Sequence, residues 1–174
     1  MIVQDIHIDG YSWDARIFYA VSRYDVDQIM SSLHSIGCRA KYAADAYISL
    51  QRNALGSGFT FSNYRMRRSV VVVALASSAE QFHRCLIHEF RHLQSHIASA
   101  DDISEKSEQV CYLLDQIVGL THKVCSPLLC GCCRDKQTHG HEKERQGHRE
   151  KGHTARMPVP RGRTLLPQLR KRGA

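Results

Sequence analysis

Apolar and polar side chains alternate, with imperfections, at the start of the chain: Ile2, Gln4, Ile6 and Ile8 stand against Val3, Asp5 and His7. A period of two reads as a β-strand. Asp9-Gly10 is a hairpin turn signal, and Trp13 to Val21 is expected to form the second strand. The period then lengthens. Val26, Ile29, Met30, Leu33 and Ile36 recur at helical spacing, with Asp25 placed to cap that helix and Gly37 to end it. Arg39 to Leu55 is expected to form a second helix, broken by Gly56-Ser57-Gly58. Phe59 to Arg68 reads as a polar, aromatic-bearing connection.

Val70-Val71-Val72-Val73-Ala74-Leu75 is an unbroken apolar run rich in β-branched residues, the pattern of a buried strand. Ser77 stands three residues before Glu80, a capping box for a helix starting near Ser78. Phe82, Cys85, Leu86, Phe90, Leu93 and Ile97 give that helix a core face, and it should fray near Ser99. A last helix is expected from about Ser104 to Thr121, with Val110, Leu113, Leu114, Ile117, Val118 and Leu120 apolar. These elements make an α+β domain: a small antiparallel or mixed sheet packed on the Ser78 helix and the helix after it.

Composition sets the domain boundary. Residues 134–174 hold 12 Lys and Arg against 4 Asp and Glu, and almost no apolar residues before Leu165. Residues 1–133 hold 12 against 13. The first segment is read as the folded domain and the second as a basic, His-rich, disordered tail. The near-neutral domain gives no hint of a nucleic-acid surface, and nonspecific binding of nucleic acid or anionic surfaces is expected, if at all, through the basic tail. No run approaches the roughly 18 apolar residues of a membrane span. Met1-Ile2-Val3-Gln4-Asp5 does not resemble a secretory leader, so a cytoplasmic chain with reduced thiols is expected.

The candidate chemistry lies in the helix after the valine run. His88-Glu89-Phe90-Arg91-His92 is an HExxH motif. Residues four apart share one helix face, their Cβ atoms about 6 Å apart, so both imidazoles can reach one Zn²⁺ ion. Glu89 follows the first histidine and is placed to take a proton from a metal-activated water. A third protein ligand is required. His96 lies about 12 Å along the helix axis from His88, too far for a straight helix to bring all three histidines to one ion. Glu105 and Glu108 are both expected to open the next helix. Glu105 reads as a solvated first-turn acid, and Glu108 has the better facing, sharing a flank with Cys111, Tyr112 and Asp115. Tyr112 is a possible oxyanion stabiliser. Cys125, Cys130, Cys132 and Cys133 form a possible second metal site, although no second CxxC or HxxxH pair completes a standard finger.

Three stretches carry a family resemblance: Phe59 to Tyr64 with Arg68-Ser69-Val70; Ser77 to Phe82 leading into His88 to Leu93; and Ser107-Glu108-Gln109-Val110-Cys111-Tyr112-Leu113. Together with Cys130-Gly131-Cys132-Cys133 they resemble the small HExxH proteins of phage and mobile-element regions in gut bacteria. That family is similar to the gluzincin type of zincin metallopeptidase. The resemblance implies a minimal zincin-like domain in the host cytoplasm, and a third zinc ligand at Glu108. It also implies a zinc-dependent hydrolase, a peptidase by type, acting on a peptide or protein substrate. An extended peptide is then expected to lie along the Val70–Leu75 strand as an added strand. The alternative is a catalytically silent, metal-binding regulatory or interaction protein.

Overall fold

Eight elements follow one another along the chain: β1 (Ile2–Ile8), β2 (Trp13–Val21), α1 (Val26–Ser35), α2 (Ala40–Gln51), β3 (Gly58–Asn63), β4 (Arg68–Ala74), α3 (Ala79–Ala100) and α4 (Glu108–Leu129). The structure, a computed structural model, describes residues 1–129. The expected boundary after residue 133, the tail, and Cys130, Cys132 and Cys133 lie outside the described residues.

The strands form one mixed sheet in the order β1-β2-β4-β3. β1 and β2 pair antiparallel from Ile2↔Tyr19 to Ile8↔Trp13, the hairpin expected from the alternation and Asp9-Gly10. β4 runs parallel to β2 and antiparallel to β3. It therefore has a neighbour on both sides, which explains why its four valines, Val70 to Val73, are all at most 1 % exposed. One consequence corrects the sequence reading: β4 has no free edge to receive a peptide. The outer strands are β1 and β3.

Side chains of the central strands divide between two cores. Ala15, Ile17, Val71 and Val73 face Phe82, Phe90, Leu93 and Ile97 of α3 and Leu113 and Ile117 of α4. Phe18, Val70 and Val72 face Ile29 and Leu33 of α1 and Ala46 and Leu50 of α2. The sheet is thus covered on both faces, as an α+β arrangement with a two-sided sheet.

β3 replaces the connection expected over Phe59–Arg68. Its alternation is real but inverted in type: Phe59 and Phe61 pack toward α1 and α2, while Thr60 and Ser62 are buried toward α3. A strand whose inward face is polar lacks the usual apolar signature. Gly58 begins it with φ +142°, and a Cβ there would lie 1.9 Å from the Val72 carbonyl oxygen. Only glycine fits this approach.

The helix ends also differ in detail. Ser78 is the N-cap of α3 and accepts from the Gln81 amide, while the Gln81 side chain accepts from the Ser77 amide. The cap is therefore Ser78, one residue after the expected Ser77, and the Gln81 side chain reaches back to Ser77 and not to the cap's own amide. Asp25 precedes α1, but its carboxylate accepts from the amide and hydroxyl of Ser22 and leaves the helix uncapped. α2 stops at Gln51, short of the expected Leu55, where Asn53 takes a positive φ. α4 begins at Glu108, not near Ser104, and continues through Pro127 to Leu129. Cys125, Leu128 and Leu129 pack against the core and draw the helix onward. Among the described residues no helix is long and apolar enough to cross a membrane.

Candidate metal centre

α3 presents different residues to different neighbours, and this sorts the HExxH side chains. Phe90 and Leu93 point into the core, and Gln94 donates to the Val110 carbonyl of α4. His88 and His92 fall on the exposed flank. Their Nε2 atoms are 3.2 Å apart and their ring centroids 4.8 Å apart. Two Zn–N bonds of about 2.0–2.1 Å at a tetrahedral angle place the nitrogens about 3.3–3.4 Å apart. The Nε2 spacing is therefore close to the one two imidazoles take on a borderline cation such as Zn²⁺. In the absence of a cation the same spacing lets one imidazole donate an N–H to the other.

Glu89 turns the other way, toward β3, and is 1 % exposed. Ser57 Oγ donates to its Oε1 at 2.9 Å. Thr60 Oγ1 lies 3.0 Å from its Oε2 and 3.2 Å from its backbone carbonyl. Gly58 sits between these two residues, and its bare backbone lets the Glu89 Cγ approach to within 3.2 Å of where a Cβ would be. A buried carboxylate is costly unless hydrogen-bonded, and this one is satisfied by two hydroxyls. An ionised carboxylate has about four lone-pair positions, so capacity is left for a proton or a water.

His96 closes the row on the β3 side. Its ring centroid is 6.4 Å from that of His92, and its Nδ1 is 2.8 Å from Ser62 Oγ. Ser62 Oγ is in turn 2.7 Å from Ser69 Oγ, which accepts from Trp13 Nε1 at 2.8 Å. Burial, and then the neighbouring His92, hold the His96 pKa below its ordinary value. His96 is thus anchored to the sheet and does not reach toward His88.

The other candidates fall elsewhere. Glu105 lies in the turn before α4, where it pairs with Arg91 and accepts from Ser95 Oγ at 2.8 Å; these partners hold its carboxyl below the usual range. Glu108 is exposed at the first residue of α4. Among the described residues no set of three His, Cys, Asp or Glu side chains gathers around one point, so Glu108 is not brought to the histidine pair. Tyr112 is 67 % exposed on α4 with no hydrogen bond among the described residues. Cys125 is buried in the core and its thiol pKa is raised by that burial. It packs in the core, and its expected partners Cys130, Cys132 and Cys133 lie outside the described residues.

Sequence reasoning missed Ser57, Thr60 and Tyr42. The Tyr42 hydroxyl lies 3.4 Å from the Thr60 carbonyl, which it approaches from the open side of β3. Its pKa is raised by burial, then by the nearby Cys38 and Glu89. The signal available was the alternation of small polar residues, Thr60 and Ser62, with Phe59 and Phe61. Searches of protein-family models, curated proteins and solved structures found no match for this chain.

Proposed function

We propose that the chain is a zinc-dependent hydrolase that cleaves peptide bonds, with His88 and His92 as zinc ligands and Glu89 as the general base. The observation that carries this reading is the 3.2 Å separation of the two Nε2 atoms, on the same helix as a buried Glu89 carboxylate that two hydroxyls hold toward β3. Zinc bound there would supply a Lewis acid that polarises the scissile carbonyl and makes water more acidic. Glu89 would accept the proton of the attacking water on a carboxylate oxygen and return it to the leaving amine. Ser57 and Thr60 would hold that carboxylate in one orientation throughout. Glu108 stays the proposed third ligand, and it would have to move from its observed place at the start of α4. The substrate would lie extended along β3, the outer strand on this side of the sheet.

A second reading is favoured by the burial of Glu89 and by the absence, among the described residues, of a third ligand at the pair. In that reading the chain binds a metal without turnover and acts as a regulatory or interaction module. Glu89→Gln separates the two. Hydrolysis of a peptide mixture that is lost in this variant, with zinc content unchanged, supports the enzyme. Absence of any zinc-dependent hydrolysis in the unaltered protein supports the silent module.

A further inference from the structure

A groove of about 760 Å³ runs beside β3, between the start of α2 and the β3–β4 turn. Three cations line it: Arg39 just before α2, Lys41 in its first turn and Arg65 from the β3–β4 turn, against one acid, Asp45. All three are exposed, and, like five other Lys and Arg residues, none belongs to an ion pair among the described residues. The domain as a whole is close to neutral, with 12 Lys and Arg against 13 Asp and Glu over residues 1–133. The groove is therefore a local excess of positive charge. Arg39 and Lys41 do not serve α2 itself. Cations at a helix N-terminus oppose its dipole, and the first turn of α2 contains no acid to offset them.

The groove also has a backbone wall. β3 is an outer strand, and its Thr60 carbonyl faces away from β4 toward Tyr42. Antiparallel pairing leaves alternate residues of an outer strand with outward amide and carbonyl groups, which suit an added strand; at Thr60 such a strand would take over the carbonyl that now accepts from the Tyr42 hydroxyl at 3.4 Å. The Tyr42 and Phe61 rings, with centroids 5.1 Å apart, give the same wall apolar surface.

We propose that this groove takes an extended peptide segment rich in Asp and Glu, which pairs with the open edge of β3 and sets its acidic side chains against Arg39, Lys41 and Arg65. The proposal rests on the hydrolase reading for its role, as substrate selection, but not for the binding itself. The chain's own residues 134–174 are poor occupants, since their 12 Lys and Arg against 4 Asp and Glu repeat the sign of the groove. An extended peptide is favoured over a nucleic acid because the strand edge offers backbone partners that match a peptide repeat.

The test is fluorescence anisotropy on the full chain, without added metal. The probes are a labelled peptide of about eight residues alternating Glu and Val, its Lys-for-Glu counterpart, and a single-stranded oligonucleotide. Electrostatic complementarity predicts that the acidic peptide binds at least about tenfold more tightly than the Lys peptide, an advantage that salt reduces. Arg39→Glu/Lys41→Glu/Arg65→Glu should abolish that preference, and the milder Arg39→Gln/Lys41→Gln/Arg65→Gln should weaken it with the thermal transition intact. Equal binding of the acidic peptide to the parent and both variants would overturn the proposal, because it would place the contact on the tail. So would equal binding of the two peptides, or tighter binding of the oligonucleotide that is lost in the same variants. Cleavage of an unbiased peptide mixture and its loss in Glu89→Gln test the hydrolase reading separately, so either idea can fail alone.

Discussion

Thr60 on β3 holds Glu89 on α3 at two points, with its Oγ1 3.0 Å from the carboxylate and 3.2 Å from the backbone carbonyl of the same residue. The sheet and the HExxH helix are therefore joined through the residue proposed as the base. Thr60→Val keeps the shape and removes the donor. A buried acceptor left unsatisfied costs about 1–3 kcal/mol, so the variant should unfold at lower denaturant concentration by that amount, while Thr60→Ser should stay near the parent. Chemical denaturation of the three proteins checks this. Equal stability of Thr60→Val and the parent would mean that the contact contributes nothing.

Gly58 makes the same junction possible. An alanine there meets the Val72 carbonyl oxygen at 1.9 Å and the Glu89 Cγ at 3.2 Å, on a backbone with φ +142°. Overpacking and the unfavourable φ together should cost about 2–4 kcal/mol. Gly58→Ala should lose stability and any peptidase activity together. Gly56→Ala is the control that keeps a positive φ, +63°, but has nothing within 4 Å of its added Cβ, so it should cost less. A Gly58→Ala protein with unchanged thermal midpoint would contradict the described junction.

His96 carries a pH prediction. Its pKa is held below the ordinary 6.5 by burial first and His92 second. The unfolded chain therefore binds a proton here more readily than the folded one. The resulting contribution to stability is present above the ordinary imidazole pKa and is lost as pH falls through the lowered folded value. In metal-free protein, nuclear magnetic resonance should show His96 protonating below pH 6.5, and Ser62→Ala should change that value by removing the Nδ1 partner. A His96 that titrates above 6.5 would contradict its burial.

How far the sequence reveals this molecule depends on which physical signal each element carries. β1 and β2 were legible to the residue, because Asp9-Gly10 marks the turn and a half-covered edge strand alternates. α3 was legible from its apolar spacing, but Ser77 and Ser78 are both good caps, and only packing selects Ser78. β3 was hidden because the face it buries toward α3 is Thr60 and Ser62. α4 ran past its expected end because Thr121 is buried with its hydroxyl donated to the Ile117 carbonyl, so a polar residue there does not mark a stop. At the site, the i,i+4 histidines are a local pattern and were visible. The partners of Glu89 were not, since Ser57 and Thr60 are 32 and 29 residues away and small hydroxyls carry no signature of their own.

Glu108 is the assignment most exposed to experiment. Zinc titration of Glu108→Ala, Glu105→Ala and His96→Ala ranks the three directly. A third ligand at Glu108 predicts at least about a tenfold loss of affinity, about 1.4 kcal/mol, in Glu108→Ala and little change in the other two. A larger loss in His96→Ala or Glu105→Ala would remove Glu108 from the site.

The histidine pair itself is tested most directly by titrating metal-free protein with Co²⁺, a visible stand-in for zinc, in the parent and in His88→Ala/His92→Ala. One Co²⁺ per chain with ligand-field absorption but no thiolate charge-transfer band, lost in the double variant, is the predicted result. Identical stoichiometry and spectra in the two proteins would contradict a metal centre at His88 and His92.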